Sequence, residues 1–198
     1  MANPKILLTF GSDSSIPNDF NKTWVNYLSE QIPFEQVHHF AEPNVGNDQI
    51  SRKIILKVSE FCKTYERDEL LVGIMWENMA RIPAYSDDRV MSTIVNLEHY
   101  LRTEWFFEKA GIKYFMTRSD ITASTSEKDN ILNDPYVHLY HYGLDYLYWI
   151  PTNSISYWCL QKRISDINNP KNICTKCHLE FTKFILEYLN FQGILTNE

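Results

Sequence analysis

An α/β sandwich, with a mainly parallel sheet held between two layers of helix, is the fold class this sequence predicts. Three observations predict it. Short, near-continuous apolar runs alternate with longer amphipathic stretches in the order β-α-β-α-β-α-β, which implies right-handed crossovers. The strand-like runs lack the polar alternation of a sheet with one wet face, so they are expected to be covered on both sides. The length, 198 residues, suits one domain with a sizeable core.

The elements follow in order. Residues 5–10 (KILLTF), ended by Gly11, read as a buried first strand. After the turn Gly11-Ser12-Asp13-Ser14-Ser15, Pro17, Asn18 and Asp19 open a helix. Trp24, Leu28 and Ile32 give it an apolar face at four-residue steps, and Pro33 stops it. Residues 35–40 are a weaker second strand, and 41–48 a polar loop containing Gly46. Ile50, Ile54, Ile55, Val58 and Phe61 mark the second helix, with Asn47 or Asp48 as its N-cap. Residues 70–75 (LLVGIM) are expected at the centre of the sheet.

A third helix starts near Asp87 and Asp88, whose charges suit the helix dipole. It carries Val90, Ile94, Leu97, Leu101 and Trp105 as one stripe, and Gly111 closes it. Residues 112–116 (IKYFM) form the fourth strand. Residues 119–129 read as a polar loop, 132–151 as Tyr-rich and partly helical, and 168–172 as an Asn/Pro loop. The final helix, 175–189, turns Phe181, Phe184, Ile185 and Tyr188 inward. With no repeat, low-complexity segment or linker in sight, residues 1–198 are expected to form a single domain.

Composition narrows the function classes. Net charge is −6, with no Lys/Arg cluster, which argues against a nucleic-acid partner. No apolar run reaches the roughly 18 residues of a membrane span. The start, Met1-Ala2-Asn3-Pro4-Lys5, lacks the pattern of a signal peptide, so a cytoplasmic protein with reduced cysteines is expected. The twelve Tyr, eleven Phe and five Trp are read as a ring-rich core, because most fall at helical or strand spacing.

Ligands of open parallel sheets bind beyond the carboxyl ends of the strands. Here those ends are residues 11–15, 41–48, 76–81 and 117–120. ILLTFGSDSS resembles the first block of the SGNH (GDSL-type) hydrolases, and Pro43-Asn44-Val45-Gly46-Asn47-Asp48 resembles the second. LVGIMWENMAR and NPKNICTKCHLEF stand where that family has its third block and its Asp/His block. The likeness runs through most of the chain, by block order and spacing, and is nearest to small SGNH-like proteins of marine phages and other viruses. It implies a flavodoxin-like three-layer α/β/α sandwich and, as the family's chemistry, acyl transfer to water. In that chemistry a Ser attacks a carbonyl, a His takes its proton and an Asp orients the His.

Carried over residue by residue, the resemblance shows a degenerate constellation. The nucleophile position holds Asp13, flanked by Ser12 and Ser14, so only a shifted turn presents Ser14. Gly46 suits an oxyanion donor and is read as a left-handed turn residue as well. The third-block Asn is replaced by Glu77, with Asn78 next to it, and Ser12 is a further candidate donor. Asn172 stands at the His position and Pro170 at the Asp position, and neither moves a proton at neutral pH. His178, read as a partly exposed helix residue, lies one to two turns on and is the available replacement base.

Other constellations carry less. Cys174-Thr175-Lys176-Cys177-His178 matches C-x-x-C-H, but no export signal supports haem and no fourth ligand supports zinc, so no metal and no cofactor are expected. His38 and His39 are adjacent in a strand and face opposite sides. His138 and His141 are read as aromatic packing with polar tips. No Walker-type phosphate loop is present. The sequence therefore predicts an SGNH-hydrolase-like protein with a degenerate site, acting as a viral or phage binding or structural module in the host cytoplasm or virion. The alternative is an active serine esterase, acting on acetylated sugars or other small acyl esters through Ser14, His178, Gly46 and Asn78. A small acyl ester or carbohydrate is the ligand either reading allows.

Overall fold

The computed structural model describes residues 3–12, 15–16, 22–77, 89–119, 155 and 175–195, with only the backbone of 89–94 and 97. Its described elements run β1 (Ile6–Gly11), α1 (Trp24–Gln31), β2 (Gln36–His39), α2 (Asn47–Phe61), β3 (Leu70–Trp76), α3 (Arg89–Ala110), β4 (Lys113–Arg118) and α4 (Thr175–Phe191). The strands form one sheet in the order β2-β1-β3-β4, and every pairing is parallel. The register sets Ile6 beside Leu70 and Gly11 beside Met75, then Leu71 beside Lys113 and Trp76 beside Arg118.

Strand alternation divides the core into two layers. Ile6, Leu8 and Phe10 of β1 and Leu70, Val72, Ile74 and Trp76 of β3 face α2 and α3. Leu7, Leu71, Met75 and Phe115 face α1 and α4. All residues of β1 and β3 are buried, as the unbroken apolar runs require of central strands. β2, at an edge of the described sheet, is half exposed, which is why its sequence signal is weak. The sheet is thus the middle layer of the α/β/α sandwich expected.

Several local expectations need correction. Helix α1 begins at Trp24, since Thr23 is its extended N-cap and Asn26 Oδ1 accepts the Thr23 N–H at 2.9 Å; Pro17, Asn18 and Asp19, expected to open it, lie outside the described residues. Gly46, not Asn47 or Asp48, is the N-cap of α2, and Asn47 is its first helical residue. Gly46 is extended (φ −87°, ψ 167°) rather than left-handed; Asn44 takes the positive φ of that loop. In α3 the expected stripe holds at Leu101 and fails at Trp105; the side chains of Val90, Ile94 and Leu97 lie outside the described residues. Trp105 is 60% exposed, while Asn96, Tyr100, Thr103, Glu104 and Phe107 are buried with Leu101. Polar residues on the inner face misled a reading that followed apolar residues alone. Gly111 does close α3, at φ 67°, and Ile112 N–H returns to Phe107 O at 3.1 Å.

Candidate functional site at the carboxyl edge of the sheet

Three strand exits and the start of α2 meet at one edge. Gly11 ends β1 because a Cβ there would lie 2.4 Å from Ser15 Oγ and 2.9 Å from Met75 O. The turn closes through Ser15 N–H to Ser12 O at 2.9 Å. Ser12 is fully buried and its hydroxyl has no hydrogen-bond partner among the described residues. The β2–α2 loop is tied to this exit by Glu42 N–H donating to Gly11 O at 3.3 Å.

The exit of β3 is held by Asn47. Its Oδ1 accepts the Glu77 N–H at 2.9 Å, and its Nδ2 donates to Glu77 O at 3.1 Å. The amide thus pairs with the backbone on both sides, as a neighbouring strand would. The same Nδ2 reaches Asn96 Oδ1 at 2.6 Å and Tyr100 Oη at 3.4 Å, joining α2, β3 and α3 in one buried network. Glu77 and Arg118 are buried at the ends of adjacent strands. Both act on the Tyr100 phenol, whose pKa is pushed far up, first by burial; Arg118 opposes the rise and Glu77 adds to it.

On the other face, Trp24 links the turn to α4. Its ring N–H donates to Ser15 Oγ at 3.3 Å, and its backbone N–H donates to His178 Nδ1 at 3.2 Å. Thr182 Oγ1 donates to His178 O at 2.8 Å and to Trp24 O at 3.2 Å. Contrary to the sequence reading, His178 is buried, only 5% exposed. Burial lowers its pKa from 6.5 to about 4. A neutral imidazole that accepts at Nδ1 carries its proton on Nε2. His178 therefore has no vacant lone pair for a nucleophile's proton while the Trp24 bond stands.

Of the residues singled out in the sequence, Ser12, Gly46 and Glu77 lie at one edge, through the Gly11–Glu42 and Asn47–Glu77 bonds. His178 belongs to the α1/α4 layer beside it. Asp13, Ser14, Asn78, Pro170, Asn172 and Cys174 lie outside the described residues, as do His138 and His141. Cys177 is fully buried on α4. His39 Nδ1 lies 2.9 Å from Thr9 Oγ1, while His38 packs edge-on against Phe61, so the two imidazoles do point apart. Among the described residues, no three His, Cys, Asp or Glu side chains are grouped to hold a metal ion, and no helix is long and apolar enough to cross a membrane.

Sequence reasoning singled out neither Asn96 nor Arg118, and gave Asn47 only the role of a helix cap. A polar residue recurring on the buried stripe of α3 was the signal available for Asn96.

No family model and no curated protein matches this chain. Among solved structures, a "putative acylhydrolase" from Bacteroides fragilis is similar, with a TM-score of 0.52 and 11% identity over 98% of this chain and 92% of that one. The chain shares the α/β fold of that structure. At this identity the likeness speaks for the fold alone, and the activity is a question for the site.

Proposed function

We propose that this chain is an SGNH-hydrolase-like module that binds a small acyl ester or carbohydrate at the carboxyl edge without hydrolysing it. A viral or phage particle, or the infected cytoplasm, is the setting this reading favours. The observation that carries it is the bond from Trp24 N–H to His178 Nδ1. It occupies the lone pair that a general base needs. Burial compounds this by holding the ring neutral down to about pH 4, where proton uptake has little driving force near pH 7.

Glu77 supports the same reading. Where the SGNH resemblance puts an oxyanion-stabilising Asn, this chain buries a Glu instead. A carboxylate near a developing oxyanion opposes it, the more so away from water. The fold shared with the "putative acylhydrolase" supports this reading, together with Asn172 and Pro170 standing where the resemblance has its His and Asp.

The test is hydrolysis of p-nitrophenyl acetate and butyrate at pH 7–8 by the wild type, Ser14→Ala and His178→Asn. The expected outcome is a rate no higher than buffer for all three. A clear wild-type rate that either substitution removes would overturn the proposal and establish an active serine esterase using Ser14 and His178. General-base assistance contributes about 10²–10⁴-fold, so the two outcomes are well separated.

A further inference from the structure

Helices α2 and α3 share two hydrogen-bonded contacts. One is the Asn47 clasp at the carboxyl edge. The other lies about a turn further along α2, where the fully buried Ser51 and Thr103 hold their hydroxyl oxygens 3.0 Å apart. Its protons can be assigned one by one. Thr103 Oγ1 donates to His99 O at 2.8 Å, which spends its only proton, so its oxygen accepts from Ser51. The Ser51 proton is then spent as well, and Ser51 Oγ accepts from Arg102 Nη2 at 3.0 Å. The same Nη2 lies 3.0 Å from His99 Nδ1. A guanidinium only donates, so Nδ1 is an acceptor and the imidazole carries its proton on Nε2. Nη2 has two hydrogens, and these two acceptors take both. The bonds thus close a ring from His99 through Arg102, Ser51 and Thr103 back to His99.

We propose that His99 is an acid-sensitive latch between α2 and α3. A proton arriving at Nδ1 turns the acceptor into a donor and sets a second cation against the guanidinium, so the ring of bonds cannot stay closed. Arg102 is the exposed member of the four, so it is the one that swings out to water, and its bond to Ser51 goes with it. The charges that face His99 come from both helices: Asp48 and Arg52 from α2, Glu98 and Arg102 from α3. Burial first, and then Arg102, lower its pKa from the usual 6.5; Asp48 and Glu98 oppose the change and Arg52 adds to it. The latch is therefore closed at neutral pH and opens as pH falls below 6.5. The Asn47 clasp gains no proton in that range and keeps the helices together at the carboxyl edge. The latch is separate from His178, on the other face of the sheet, and independent of whether the edge hydrolyses anything.

The test is an NMR titration of the full-length protein from about pH 8 to about pH 4, following the His99 ring, the Arg102 Nε–H and the amides of Ser51 and Thr103. The His99 midpoint is expected below 6.5, with the Arg102, Ser51 and Thr103 signals moving at that same midpoint. Arg102→Met removes both the cation and the bond to the neutral ring, and is expected to raise the His99 midpoint by about half a pH unit or more. Arg102 is exposed, so little packing is lost in that variant, and the wild-type titration is a test in its own right. Arg102 and Ser51 signals that stay still through the His99 midpoint, or an unchanged His99 midpoint in Arg102→Met, would overturn the proposal.

Discussion

The two faces of the sheet reach its carboxyl edge with different bolts. On the α2/α3 face, Asn47 clasps both backbone groups of Glu77 and continues into Asn96 and Tyr100. On the α1/α4 face, Trp24 is wedged between Ser15 and His178, with Thr182 closing the link. Each bolt satisfies polar groups that burial would otherwise leave without partners. They differ in chemistry. An amide has no proton to gain over the physiological range, whereas an imidazole accepting at Nδ1 must break its bond to become charged. The amide link itself is therefore insensitive to acid, and the imidazole link is not.

Removing Trp24 should break the comparison most severely. The ring is fully buried and stands edge-on to Phe115, with centroids 5.7 Å apart. Trp24→Ala is expected to cost about 3–5 kcal/mol in urea unfolding at pH 7. A loss near that of an exposed substitution would show that α1 is anchored elsewhere.

Acid should separate the two faces next. Because burial lowers the folded-state pKa of His178, the unfolded chain takes up its proton first. The stability linked to this group is full above about pH 6.5, falls as pH drops toward 4, and levels off below that. The loss across that window is about 3 kcal/mol. Urea titrations at stepped pH would measure it, and His178→Gln should flatten that part of the profile. An unchanged slope in the variant would assign the acid sensitivity to other groups.

The clasp gives the counterpart. Asn47→Ala removes both bonds to the Glu77 backbone and the link to Asn96 and Tyr100, with an expected loss of about 1–3 kcal/mol. That loss should be the same at pH 7 and pH 5, since no ionisation of Asn47 is involved. A strongly pH-dependent loss would place Glu77 and Arg118, rather than the amide, in control of this side.

The smallest effect concerns Thr182. Thr182→Val removes the hydroxyl shared between Trp24 O and His178 O at similar volume, and is expected to cost about 1 kcal/mol. The cost should be the same at pH 7 and pH 5, since the hydroxyl meets the His178 carbonyl and not the imidazole.

Much of the architecture was legible because strands and helices differ in period. The runs at 5–10 and 70–75 had no polar alternation, and both became central strands buried on two faces. Helices α2 and α4 showed their inner faces through Ile50, Ile54, Val58, Phe181 and Ile185. In α3 the rule failed, since Asn96, Thr103 and Glu104 occupy the inner face and Trp105 the outer. Two of those buried polar groups pair with α2, far back along the chain: Asn96 with Asn47 and Thr103 with Ser51. A local pattern contains no such pairing.

The order and type of the elements, the parallel sense of the sheet and the edge at which Ser12, Gly46 and Glu77 gather were written in the residues themselves, since hydrophobic period and crossover length are local properties. The protonation state of His178 was not. One to two turns beyond Asn172, it read as a partly exposed candidate base, and nothing adjacent in the chain opposed that. Only folding brings the Trp24 N–H, 154 positions away, to its Nδ1. Helix packing then removes water from the ring and takes its pKa to about 4. Desolvation and long-range hydrogen bonds depend on three-dimensional neighbours, so the tertiary structure alone decides whether that imidazole can act as a base.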